Sequence, residues 1–211
     1  MMPAQAPGLR RRAVASSLLL LTAGCSGLLP KAPAPPAFYA LDGSDAKAAQ
    51  QPPRNGGRTL IVSPLTAAPG FDSPRIVYLR QPHQLAHYAQ SEWVDTPARM
   101  LAPQVVAALA GSGAFAAVVL APSGAAGELR LDLALLRLQH DFTGGARSQV
   151  RLTLRATLVD TASRRVREQR VFDEQVDAGS DDAYGGVLAA NQALAQALRS
   201  LVAMCAAAAQ A

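Results

Sequence analysis

Gln149-Val150-Arg151-Leu152-Thr153-Leu154-Arg155-Ala156-Thr157-Leu158-Val159-Asp160 alternates apolar and polar side chains with a period of two. Successive side chains of a strand point to opposite faces. Val150, Leu152, Leu154, Ala156 and Leu158 therefore share a buried face, and Arg151, Thr153, Arg155 and Thr157 share a wet one. Upstream, Leu129, Leu131, Leu133 and Leu135 alternate with Arg130, Asp132 and Ala134, and Gly144-Gly145 lies between the two runs. Two half-buried antiparallel strands joined by a glycine-rich hairpin follow. Thr161-Ala162-Ser163 makes the next turn, and Arg165 to Val176 adds a third strand.

A sheet with one apolar face needs a cover. Ser180-Asp181-Asp182 caps a C-terminal helix whose stripe runs Val187, Asn191, Leu194, Leu198, Leu201 and Val202. A second helix is framed by Asp95-Thr96-Pro97, an N-cap followed by Pro at the first helical position, and ends at Gly111-Ser112-Gly113. Pro103 removes one backbone hydrogen bond inside it, so a kink near Arg99 is expected. Four shorter strands precede this helix: Phe38 to Leu41, Thr59 to Val62, Arg75 to Arg80 and Gln84 to Ala89, with Pro82 forcing a bend between the last two. The predicted fold is α+β, a largely antiparallel sheet of about seven strands with two helices packed on one face.

Of the 211 residues, 50 % are hydrophobic and only 17 % charged, which suits a globular body with one core and no long charged tracts. The formal charge of +5 points weakly to nucleic acid. Three of the 20 basic residues are Arg10, Arg11 and Arg12, however, and no acid precedes Cys25. Removing that segment leaves 17 basic against 15 acidic residues. The remaining arginines are scattered as on a solvated sheet face, and no nucleic-acid partner is expected.

The segment before Cys25 has the order of an export signal: basic residues to Arg12, an apolar run from Ala13 to Leu21, then Leu21-Thr22-Ala23-Gly24-Cys25. The apolar run is too short for the roughly 20 residues of a spanning helix. Small residues before a cysteine resemble the lipobox of bacterial lipoproteins, with Thr22 standing where a branched aliphatic is usual. That resemblance implies removal of residues 1–24 and acylation of Cys25, with chains such as palmitate. Ser26 in place of Asp implies sorting to the outer membrane. One acyl chain binds a membrane marginally, whereas two or three anchor stably. Residues 25–36, with Pro30, Pro33, Pro35 and Pro36, form a stiff Pro/Ala-rich tether, leaving 37–211 as a single periplasmic domain. With Cys25 acylated no internal disulfide can form, and Cys205 reads as a small buried hydrophobe.

Catalytic constellations are sparse. No G-x-S-x-G elbow occurs, and Ser112 belongs to a helix terminus. His83 and His87, four apart, would share a face on a helix as metal ligands. Their flanks read as strand, where four residues span about 13 Å, so no metal is expected. His140 beside Asp141 reads as a turn residue at a strand end. The pairs Asp173/Glu174 and Asp181/Asp182 lack the spacing of a Ca²⁺ loop, and the second pair is explained by helix capping. Gly185-Gly186 in a helix start is unfavourable by about 1 kcal/mol each relative to Ala, so close backbone approach is the reason to seek. No cofactor and no enzymatic activity are expected.

Three segments taken together, PGFDSPRIVYLR (69–80), EWVDTPARMLAPQVVAALAGSGAFAAVV (92–119) and SDDAYGGVLAANQAL (180–194), resemble the ABC-type transport auxiliary lipoprotein family. The alternation of QVRLTLRATLVD adds to the likeness. Phe71, Asp72, Pro74 and Ile76 stand in the family's loop-to-strand junction, and Trp93, Asp95, Pro97, Ala98 and Met100 in its strand-to-helix junction. The resemblance implies an outer-membrane lipoprotein that serves lipid transport between the inner and outer membranes. An ABC permease, an ATPase and a ring-forming mammalian-cell-entry (MCE) domain protein would be separate subunits. It brings no catalytic residues. Partners expected on this reading are the MCE protein and the permease/ATPase complex, with phospholipid as the cargo and a homo-oligomer open. The candidate contact residues are Phe71, Tyr78, Tyr88 and Trp93. A lipoprotein of envelope assembly, or one activating a cell-wall enzyme, would share anchor and tether and differ in what co-purifies with it.

Overall fold

The computed structural model describes residues 35–43, 51–52 and 57–210. The export signal, Cys25 and most of the tether lie outside them. The elements are β1 (Ala37–Tyr39), β2 (Thr59–Val62), β3 (Thr66–Ala67), β4 (Arg75–Gln81), β5 (Gln84–Trp93), α1 (Pro97–Gly111), β6 (Ala117–Leu120), β7 (Leu129–Asp141), β8 (Gln149–Asp160), β9 (Val166–Asp177) and α2 (Ala183–Gln210).

The α+β class is as the sequence predicts, with nine strands rather than about seven. The additional strands are β3, whose two residues carry no period to read, and the four-residue β6. The antiparallel part is the one the alternation foretold: β7 pairs with β8 along its whole length, and β8 with β9. Because β8 occupies one edge of β7 entirely, the other edge is divided among three parallel partners. β2 takes Leu129 to Leu131, β3 takes Ala134 and Leu135, and β4 takes His140 and Asp141. The sheet therefore forks, with β6 beyond β2 on one branch and β5 and β1 beyond β4 on the other.

Both helices cover one face, α2 over β8 and β9 and α1 over β6 and β3, and they touch each other. Leu129, Leu131, Leu135, Leu152, Leu154 and Leu158 are fully buried beneath them. α1 begins at Pro97 with Thr96 at the cap. The Asp95 carboxylate accepts from the Thr96 N–H (2.7 Å) and pairs with Arg99 (3.0 Å). The helix is continuous through Pro103, which lies on its exposed side.

α2 is apolar and long enough to cross a membrane by length and composition, yet its stripe from Val187 to Cys205 is core. Asn191 in that stripe is a clasp: its Oδ1 accepts from the Asp42 and Gly43 N–H groups, and its Nδ2 donates to the Ala40 and Val187 carbonyls. This ties the segment that follows β1 to the core. Cys205 is fully buried, and burial pushes its thiol up to about 12, so it stays protonated and inert.

Candidate functional site

The fork end of the sheet gathers the polar and aromatic groups. β7 carries a bulge between Leu135 and Arg137. The face parity flips there, so after Leu131, Leu133 and Leu135 the core side receives Leu138 and His140. His140 is thus a buried strand residue, not the turn residue its neighbours suggest, and the strand continues to Asp141. Parallel pairing sets Tyr78 of β4 beside His140, and the β4–β5 hairpin brings in Tyr88.

Four side chains form a hydrogen-bonded chain. The Tyr88 hydroxyl lies 2.9 Å from His140 Nδ1, His140 Nε2 lies 2.9 Å from Ser148 Oγ, and Ser148 donates to Asp181 at 2.5 Å. The directions follow from proton counting. Ser148 has one proton and gives it to a carboxylate, so it must accept from His140 Nε2–H. Nδ1 is then bare and accepts from Tyr88. This is the reverse of a hydrolase triad, in which the serine proton goes to the imidazole and a carboxylate holds the other ring nitrogen. Burial pushes Tyr88 up to about 12, keeping its phenol a donor.

Burial also holds the His140 imidazole below its ordinary value, against the opposing pull of Asp181 and Asp182. In the window from about 6.5 down to that lowered value the unfolded chain binds a proton the folded one refuses, so stability falls as pH falls. Asp182 and Asp173 are held low by the Gly185 N–H and by Arg151, and lose their contributions only below the ordinary carboxylate range. The melting temperature followed by circular dichroism is therefore expected to drop between pH 7 and pH 5. The drop should be smaller in His140→Asn.

The N-terminus of α2 closes the site from above. Asp182 Oδ1 accepts from the Gly185 N–H at 2.7 Å, the capping role expected of it. A Cβ on Gly185 would run into the Ser180 carbonyl, and one on Gly186 would meet His140 Nδ1 at 2.6 Å. Close approach is the reason for both glycines.

Outside this chain lies an aromatic patch. Tyr78 and Tyr88 rings are 4.8 Å apart, and Phe142 stands edge-on to Tyr78 at 6.3 Å and lies tilted against His140 at 4.3 Å. The exposed Arg80 guanidinium sits over Phe142 at 4.5 Å and over Tyr78 at 5.7 Å. Of the four aromatic residues singled out in the sequence, the structure brings Tyr78 and Tyr88 together here, half-buried. Phe71 and Trp93 are 9 % and 4 % exposed and point into the core. Arg80 and Phe142 went unread because the contact joins two strands distant in sequence. His83 lies in the β4–β5 turn with φ 67°, and His87 is exposed on β5. Among the described residues no three His, Cys, Asp or Glu side chains converge as a metal site.

The family model for the ABC-type transport auxiliary lipoprotein component matches residues 39–202. The chain belongs to this family. A solved structure of a Xanthomonas campestris protein superposes with a TM-score of 0.69 at 26 % identity, covering 82 % of this chain and 97 % of that one. A second, of an uncharacterized protein, gives 0.62 at 16 % identity, covering 81 % and 98 %, and shares the fold. No curated protein matches. As a member, this auxiliary lipoprotein is a component of ABC-type transport, held to an envelope membrane.

Proposed function

We propose that this auxiliary lipoprotein is a non-catalytic docking module, anchored through Cys25 in the outer membrane and facing the periplasm, for an MCE-type ABC system that moves lipid between the two membranes. Its contact surface is the patch of Tyr78, Arg80, Tyr88 and Phe142. The carrying observation is that patch: two tyrosines and an arginine in mutual contact against a hydrogen-bonded base, in the composition that dominates binding hot spots. The wiring of Ser148 and His140 supports a binding rather than a hydrolytic role, since no base takes the serine proton.

The test is affinity recovery of the tagged lipoprotein from detergent-solubilised envelopes. Wild type is expected to bring down the MCE protein, the permease and the ATPase. Arg80→Ala combined with Tyr78→Ala should reduce recovery at least tenfold with little change in melting temperature. Recovery of envelope-assembly proteins instead, with none of the three transport components, would sink the partnership.

A further inference from the structure

β9 ends the sheet on one side: among the described residues it pairs with β8 alone, so its outer edge offers a row of free N–H and C=O groups twelve residues long. Charge guards such an edge in most proteins. Here the charges are segregated. The first half and its approach carry Arg164, Arg165, Arg167 and Arg170 with one acid, Glu168; the second half carries Asp173, Glu174 and Asp177. Asp173 is held by Arg151, whereas among the described residues Glu174 and Asp177 form no ion pair. Arg170 and Arg167 make exposed bridges to Glu168 and Asp160, of the weakly held kind.

A strand that is basic at one end and acidic at the other complements itself when turned antiparallel. We propose that β9 is the seam of a symmetric dimer, a second copy of this chain adding its own β9 across a two-fold axis at Phe172. The register follows from two constraints. Directly opposed residues must lie on the same face of the joined sheet, so only slips of two residues between opposed partners are allowed. Centred on Phe172, Arg170 stands opposite Glu174 and Arg167 opposite Asp177, with Gln169 facing Gln175. The neighbouring register centred on residue 171 sets Glu168 against Glu174, and the one centred on residue 173 sets Asp173 against itself. Opposed like charges disfavour both.

The same copy accounts for a groove of about 590 Å³ along this edge, between Ala203, Met204 and Ala207 of α2 and Arg167, Glu168 and Arg170 of β9. Among the described residues its strand lining comes from β9 alone, the strand to which the second copy is added. Small side chains on that stretch of α2 leave room for a helix to approach.

Two measurements test the seam. In the full-length lipoprotein expressed in a Gram-negative envelope, Gln169→Cys together with Gln175→Cys is expected to give a disulfide-linked dimer on oxidation of isolated membranes. Either single substitution should not, because like positions lie about 20 Å apart across the axis and the two sites are equally far apart within one strand. On light scattering of the detergent-extracted protein, Arg170→Glu and Glu174→Arg are each expected to weaken the dimer at least tenfold, and the two together to restore it. A monomer in wild type, a monomer carrying co-purified phospholipid in the groove, or equal cross-linking of the single variants would overturn the proposal.

Discussion

Gly186→Ala is expected to lower the melting temperature by about 4–8 °C. The added methyl would lie 2.6 Å from His140 Nδ1 and 3.1 Å from its Cγ. That ring cannot swing away: it is buried in β7 and held at both nitrogens by Tyr88 and Ser148. Overpacking of a site with no slack costs about 3 kcal/mol, while alanine's better helix propensity returns about 1 kcal/mol. The net of about 2 kcal/mol converts at about 2–4 °C per kcal/mol for a domain of this size. A double-mutant cycle isolates the contact. In a His140→Ala background the ring is gone, and Gly186→Ala should then be neutral or slightly stabilising in thermal and urea melts. A penalty that persists in that background would place the clash elsewhere.

The glycine pair also marks how far the sequence carries. Two costly glycines at a helix start demand a close neighbour, and the demand is visible without coordinates. The identity of the neighbour is not, since His140 reaches the helix only because a bulge at Leu135/Arg137 turns it inward. Strict alternation in β7 and β8 made their pairing legible, because a period of two fixes faces and a glycine hairpin fixes direction. Parallel ladders leave no such mark. β2, β3 and β4 share one edge of β7 through contacts between segments far apart in sequence, so the forked sheet stayed hidden. Asn191 was legible as a member of the helix stripe, yet its role as a clasp for Ala40 to Gly43 depends on where the N-terminal segment docks.

Trp93→Ala should be the more damaging substitution, by about 3–5 kcal/mol, because it empties a large buried site. Trp93 ends β5, its N–H donates to the Pro74 carbonyl at 2.7 Å, and its ring shares a packed region with Ile76, Leu138 and Ala190. The loss should appear as a fall in melting temperature of about 6–20 °C on the conversion used above. Phe71→Ala should follow the same direction, since Phe71 also belongs to the core cluster. Tyr78→Ala, at a half-exposed position, should cost far less. These three measurements separate two kinds of aromatic residue that look alike in sequence. An aromatic at a turn or strand end can brace the fold or present a surface, and only its neighbours decide which. A Trp93→Ala protein that melts within about 2 °C of wild type while losing its partners would return that residue to the contact surface.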